Sequence, residues 1–206
     1  MRENSRRILG IDPGTCHVGY AVLEQEGTRL VRVASGEISG GTGELAERLV
    51  RIYQGLVEVL ERWTPAEAAV ETVFTSKNPK TAIAIGEARG VVLLAAAQKG
   101  LRIYGYEPAL VKRTVTGSGR AGKEQVGNMV EALLGLSSSG CASDHETDAL
   151  AIGITHALRC RFGEAGGAGV PPRRGRARRE LPEMVRRQLP AEVRRQAGEG
   201  PLRWRS

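Results

Sequence analysis

Four residues far apart in this chain, Asp12, Glu71, His145 and Asp148, carry side chains that could act together in one reaction. Asp12 ends the apolar run that begins at Ile8, and Pro13-Gly14 after it is a turn signal. Glu71 stands in the same relation to Ala68-Ala69-Val70. A carboxylate at the end of an apolar strand costs free energy unless it is paired, hydrogen-bonded or bound to a cation. One such acid is ordinarily a solvated loop cap. Two at matching strand ends imply a shared site, because ligands of mixed α/β sheets commonly bind beyond strand carboxyl ends. The third element is Ser143-Asp144-His145-Glu146-Thr147-Asp148, where Ser143 and Glu146 have the spacing of a capping box and predict a helix start. His145 and Asp148 share a face of that helix, which continues into Ile152. Asp144 and Glu146 read as acids that only complement the helix dipole. Asp148 differs, because Ala149-Leu150-Ala151-Ile152 directly after it must be buried.

Oxygen-rich clusters without cysteine suit Mg²⁺ or Mn²⁺. Two such ions, roughly 3.5–4 Å apart, can activate water and stabilise the leaving oxygen of a phosphodiester. Carboxylates also serve proton transfer or glycoside cleavage, which need only two acids. The chain has no Gly-x-x-x-x-Gly-Lys-Ser/Thr loop, and no Ser-His-Asp arrangement is legible among its three histidines, His17, His145 and His156. His17 reads as an exposed turn residue and His156 as a structural one.

The elements that must hold these groups follow from periodicity. Ile8–Asp12, Val18–Glu24 and Arg29–Glu37 predict three antiparallel strands, with a hairpin turn at Gln25-Glu26-Gly27-Thr28. Leu45, Leu49, Ile52, Leu56 and Leu60 form one helical stripe. A short strand, residues 66–71, a long helix from Pro79 towards Gln98, and a fifth strand, residues 101–106, come next. Residues 108–114 and 123–134 and a last helix from near Ser143 to near Arg161 complete the order βββ-α-β-α-β-α-α-α. The expected fold is α/β: a mixed five-stranded sheet, meander first and parallel crossovers after, flanked by helices.

Of 206 residues, 41% are hydrophobic but only 4% aromatic, so the core must be Val, Leu, Ile and Ala. The formal charge is +7, which favours polyanions, nucleic acid first. Most of that excess lies after Phe162: residues 163–206 hold 11 Arg and 5 Glu. Gly, Pro, Arg and Glu dominate there without periodicity, so the expected division is a folded domain over 1–162 and a disordered tail over 163–206. The tail either adds salt-sensitive DNA affinity or is a dispensable solvated extension. Three cysteines without CxxC spacing, Cys16, Cys141 and Cys160, fit a reducing cytoplasm and argue against a disulfide framework. No apolar run reaches the ~18 residues expected of a membrane span, and Met1–Arg7 does not read as a signal peptide.

Ile8-Leu9-Gly10-Ile11-Asp12-Pro13-Gly14 with Gly19-Tyr20 resembles the opening of the RuvC Holliday junction resolvases. The likeness continues through Val70-Glu71-Thr72-Val73-Phe74-Thr75-Ser76-Lys77-Asn78, Gly86-Glu87-Ala88-Arg89-Gly90 and Val111-Lys112-Arg113-Thr114-Val115-Thr116-Gly117. It ends with Asp148-Ala149-Leu150-Ala151-Ile152 and Thr155-His156, and so covers roughly residues 7 to 160 in order. This resemblance implies a ribonuclease H-like fold and a homodimer that nicks four-way DNA junctions symmetrically. It also implies Mg²⁺ as cofactor, with two ions per site and Mn²⁺ as an alternative, and a partnership with the RuvA–RuvB branch-migration machinery. Asp12, Glu71 and Asp148 match the family's catalytic carboxylates. His145 stands where many members carry Asp, as metal ligand or proton handler, which predicts relatively good activity with Mn²⁺. Phe74 matches a junction-probing aromatic, and Lys112 and Lys123 match basic positions. Lys77 and Arg120 are further candidates for phosphate contact, and the Ala82–Val92 stretch for both core and dimer interface. Two other readings remain: a YqgF-type RNA-processing relative, disfavoured by the Phe74 and Lys112–Lys123 segments, and a junction-binding protein whose acids do not assemble.

Overall fold

The computed structural model describes residues 5–72, 79–136 and 141–161. Five strands form one sheet: β1 (Ser5–Asp12), β2 (His17–Glu26), β3 (Arg29–Ser39), β4 (Glu67–Glu71) and β5 (Arg102–Tyr106). The order is β3-β2-β1-β4-β5, antiparallel from β3 to β1 and parallel from β1 to β5. Helices α1 (Leu45–Trp63), α2 (Pro79–Gln98), α3 (Pro108–Thr116), α4 (Lys123–Leu134) and α5 (Asp144–Arg161) complete it. The expected mixed α/β architecture is therefore present, and its boundaries move by a few residues only. The strands of the meander run longer than their apolar stretches, because Ser5–Arg7 pairs with Glu24–Glu26 through backbone bonds that need no apolar side chain.

Strand pleating divides the core in two. Leu9, Ile11, Val22, Ala68 and Val70 face one side, against Ile52, Leu56 and Leu60 of α1 and Val92, Ala95 and Ala96 of α2. Ala21, Leu23 and Ala69 face the other, under α3, α4 and Leu150, Ile152 and Ile154 of α5. The alternation puts Asp12 and Glu71 on the α5 side, in step with Gly10 and Ala69.

Helix α2 is long and apolar enough to cross a membrane by length and composition, contrary to the expectation that no stretch of the chain is. Ala88, Val92, Ala95 and Ala96 nonetheless pack into the core, while Ile83 and Leu94 are 64% and 53% exposed.

Candidate active site

Strand register brings the first two acids together. Ile11 pairs with Val70 in the parallel β1/β4 ladder, so the next residues, Asp12 and Glu71, leave neighbouring strands side by side, about 4.8 Å apart in the backbone. Their carboxyls are hydrogen-bonded to each other. Thr72 N–H donates to the Tyr106 carbonyl at 2.9 Å, and Arg89 Nε of α2 donates to the Glu71 carbonyl at 3.1 Å. Arg89 thus fixes the strand end that carries Glu71.

The third group arrives on α5, which lies across β1 and β2 because two strand glycines let it approach. A Cβ on Gly10 would collide with the Ala149 carbonyl oxygen, and one on Gly19 with the His145 carbonyl oxygen. Any side chain at either position would lift the helix start away from Asp12. Ser143 Oγ accepts the Glu146 N–H at 3.2 Å, as a cap should. The other half of the expected capping box is absent, and Glu146 is no mere dipole acid. It is 4% exposed, takes the Ser35 hydroxyl of β3 at 2.5 Å and the Ala142 N–H at 2.7 Å, and lies 3.6 Å from Arg32. Glu146 therefore ties the first turn of α5 to the sheet.

The result is a cleft of about 400 Å³ lined by Asp12, Cys16, His17, Glu71 and His145, with Thr81 and Ile85 of α2 and Pro108 of α3 on its rim. His145 Nδ1–H donates to Asp12 Oδ2 at 2.7 Å. Asp148 opens on the adjoining hollow with Lys123 and Asp144. Its carboxyl is raised to about 6, by burial first and then by Asp12, with Lys123 and His145 acting the other way. Glu71 is raised to about 8 by burial, then by the charges of Asp12 and Asp148 and the hydrogen bond to Asp12, and Lys112 opposes this. Glu71 and Asp148 are both raised, by burial first and then by the Asp12 charge, as in a site short of positive charge. Their donor atoms do not draw together as tightly as those of Glu67, His156 and Cys160 elsewhere in the fold. A bound cation would offset the burial and acid–acid repulsion that raise Glu71 and Asp148.

Of the basic candidates, Lys112 and Lys123 lie close enough to act on Glu71 and Asp148, and Lys123 Nζ also holds the exposed Asp144 at 2.7 Å. Arg120 is exposed, with its backbone N–H bonded to Ser118 Oγ at 3.3 Å, and nothing links its side chain to the acids. Phe74 and Lys77 lie outside the described residues. Three contributors escape a reading of the sequence. His17 is exposed as expected, yet its ring stacks on His145 at 6.0 Å while pairing with Glu37, and Arg89 and Glu146 position the acids from behind. Only the length of α5's apolar run hints at any of this; none of the three has a local sequence signal.

Comparison with known proteins agrees with this geometry. The family model for crossover junction endodeoxyribonuclease RuvC matches residues 8–156. The chain is 47% identical over 158 residues to the crossover junction endodeoxyribonuclease RuvC of Azorhizobium caulinodans, covering 76% of this chain and 92% of that protein. It is 46% identical over 170 residues to that of Rubrobacter xylanophilus, covering 82% and 94%. Among solved structures, T. thermophilus RuvC in complex with a Holliday junction substrate superposes with a TM-score of 0.73 at 36% identity, covering 78% of this chain and 98% of that one. A yeast mitochondrial Holliday junction resolvase shares the fold at 12% identity, with a TM-score of 0.51 over 74% and 76%. With its sheet order, its paired strand-end acids and a match spanning most of its length, the chain belongs to the crossover junction endodeoxyribonuclease RuvC family, a family of divalent-metal-dependent nucleases.

Proposed function

We propose that this protein resolves four-way DNA junctions by hydrolysing phosphodiesters at Asp12, Glu71, His145 and Asp148. The observation that carries the reading is geometric: parallel register sets Asp12 beside Glu71, and α5 brings His145 onto Asp12, with Asp148 one turn on, where burial and the Asp12 charge raise both Glu71 and Asp148. Such a cluster is unfavourable to the apo fold and has a use only with a cation and a substrate phosphate. The donor set, carboxylate oxygens with one imidazole, fits Mg²⁺ or Mn²⁺, and two ions per site is the count proposed. When bound, such ions supply Lewis acidity for water activation and for charge at the leaving oxygen.

The chain's own groups do the rest. Asp12, wedged between Glu71 and His145, is the shared anchor. His145 keeps its Nδ1 proton on Asp12, so its ring orientation is set before DNA arrives. Stacking on His17 restrains the same ring from the open side. Lys112 and Lys123 offset phosphate charge at the rim, and Phe74 and Lys77 extend the contact to the junction, with Arg120 as a peripheral cation. The exposed Ile83 and Leu94 on α2 fit a second copy of the chain, which gives two cleft-bearing subunits for paired nicks. The basic residues 163–206, outside the described residues, read as a tail to the 1–162 domain, and the protein works in the cytoplasm beside the RuvA–RuvB machinery.

The deciding experiment is cleavage of a synthetic four-way junction against matched duplex and RNA–DNA hybrid, with Mg²⁺ and with EDTA. Junction-selective, EDTA-sensitive cleavage is expected, lost in Asp12→Asn with binding retained. Equal cleavage of duplex, or binding without cleavage by the native chain, overturns the reading.

A further inference from the structure

Strand β4 carries two acids on the α5 side, Glu71 at its end and Glu67 at its start. Helix α5 matches them with Asp148 and, eight residues on, His156. Four strand residues span about 13 Å and eight helical residues about 12 Å. The fold therefore builds a second polar centre, roughly 12 Å from the first, at the other end of the same strand and helix.

That centre has a metal's donor chemistry. Glu67 and His156 are 1% and 0% exposed, and Cys160, one turn further along α5, is half-buried. One donor atom from each lies within 4.8 Å of the others, the tight cluster of this kind among the described residues. Both the thiol and the carboxylate face the same imidazole nitrogen: Cys160 Sγ is 3.5 Å and Glu67 Oε2 2.9 Å from His156 Nε2. A tetrahedral zinc with ordinary bond lengths needs sulfur–nitrogen and nitrogen–oxygen edges of about 3.5 and 3.4 Å. The first is met as it stands, and the second needs about half an ångström of opening. The other ring nitrogen, Nδ1, lies 2.7 Å from the Tyr106 hydroxyl, the kind of outer contact that orients a ligating histidine. Glu67 also meets Arg6 at 3.2 Å and Arg102. These ion pairs use part of its lone-pair capacity and keep the buried carboxylate ionised, as a ligand must be. A thiolate–imidazole–carboxylate set selects a softer ion than the oxygen-rich cleft does.

The geometry points to a second metal site, Glu67–His156–Cys160, that takes one Zn²⁺ and clamps the far end of α5 to β4. It owes nothing to the nuclease reading and stands or falls separately.

Co²⁺ is the probe, because only a cysteine-containing site gives a thiolate-to-cobalt charge-transfer band. The EDTA-stripped full chain should develop that band with one equivalent of Co²⁺ and lose it to one equivalent of Zn²⁺. Cys160→Ser should abolish it. Cys16→Ser, which removes the thiol of the catalytic cleft, and Asp12→Asn should leave it intact. A measurement on the native chain serves if Cys160→Ser folds poorly: one equivalent of Zn²⁺ should protect Cys160 from alkylation several-fold, mapped by peptide mass spectrometry. A native chain without the band, a band that survives Cys160→Ser, or Cys160 alkylated equally fast with and without Zn²⁺ overturns the site.

Discussion

Glu71→Gln should stabilise the metal-free protein while abolishing cleavage. The Glu71 carboxyl sits at about 8 against an ordinary 4.5, pushed there by burial and then by Asp12 and Asp148. A carboxyl raised on folding makes the native state bind a proton that the unfolded chain releases. Its penalty is therefore absent below the unfolded value, grows as pH rises from 4.5, and levels off above the folded value of about 8. At ~1.4 kcal/mol per unit, the penalty is below about 1 kcal/mol at pH 5 and roughly 3 kcal/mol at pH 7. Some of it is shared with Asp12 and Asp148 and relaxes when the cluster loses one charge. A gain of about 1–2 kcal/mol for Glu71→Gln at pH 8 is the resulting expectation, since Gln keeps the shape and one acceptor. Urea unfolding of both proteins in EDTA, at pH 5 and pH 8, reads it: the variant's advantage should open with pH. Saturating Mg²⁺ should reverse the order, because only the parent gains binding energy from the ion. A variant less stable than its parent at pH 8 in EDTA, or an advantage independent of pH, refutes the claim that these acids crowd one another.

The remaining expectations concern the groups around that cluster. His145→Asp should lower the Mn²⁺/Mg²⁺ activity ratio, because it exchanges an imidazole for a hard oxygen donor, and an unchanged ratio removes His145 from the ligand set. Glu146→Ala leaves the Ser35 hydroxyl and Ala142 N–H of α5's anchor unpartnered; a loss of about 2–3 kcal/mol and a reduced kcat at unchanged junction affinity should follow, measured by urea unfolding and single-turnover cleavage. Proton release on Mg²⁺ binding should be detectable at pH 7, where Glu71 at about 8 is largely protonated, and should vanish at pH 9; calorimetry in buffers of different ionisation enthalpy checks both. Removing residues 163–206 should flatten the salt dependence of DNA binding if the arginines touch phosphate, whereas an identical slope marks the tail as a solvated extension.

The sheet and the acids are legible in the sequence because both rest on local signals. Alternation and turn residues set β1–β3, and an acid at the end of each apolar strand announces a site before any partner is known. Parallel register then makes Asp12 and Glu71 neighbours, as Ile11 opposite Val70 shows. What stays hidden depends on which backbone meets which. Gly10 and Gly19 look like ordinary strand glycines until α5 is laid on them, and Glu146 looks like a first-turn acid until Ser35 appears beside it. His17 is easily set aside for its exposure, yet an exposed ring can still order another exposed ring. Glu67 and His156 escape notice because 89 residues separate two groups that hydrogen-bond in the folded chain. Helix α2, whose apolar content passes the test for a membrane span, shows the converse: composition alone cannot tell a core helix from a spanning one.

Helix α5 is where stability and catalysis meet. Its first turn is held by Glu146, its middle rests on the backbones of β1 and β2, and its far end is tied through His156 to Glu67 and Tyr106. Only the first of these anchors is close to the acids, yet all three fix the axis on which Asp148 and His145 ride. Packed interiors transmit strain, so a change at the His156 end reaches Asp148 along the helix. A site of crowded carboxyls needs such a rigid support, because the bonds within the cluster, His145 to Asp12 and Asp12 to Glu71, leave Asp148 to be placed by the helix alone.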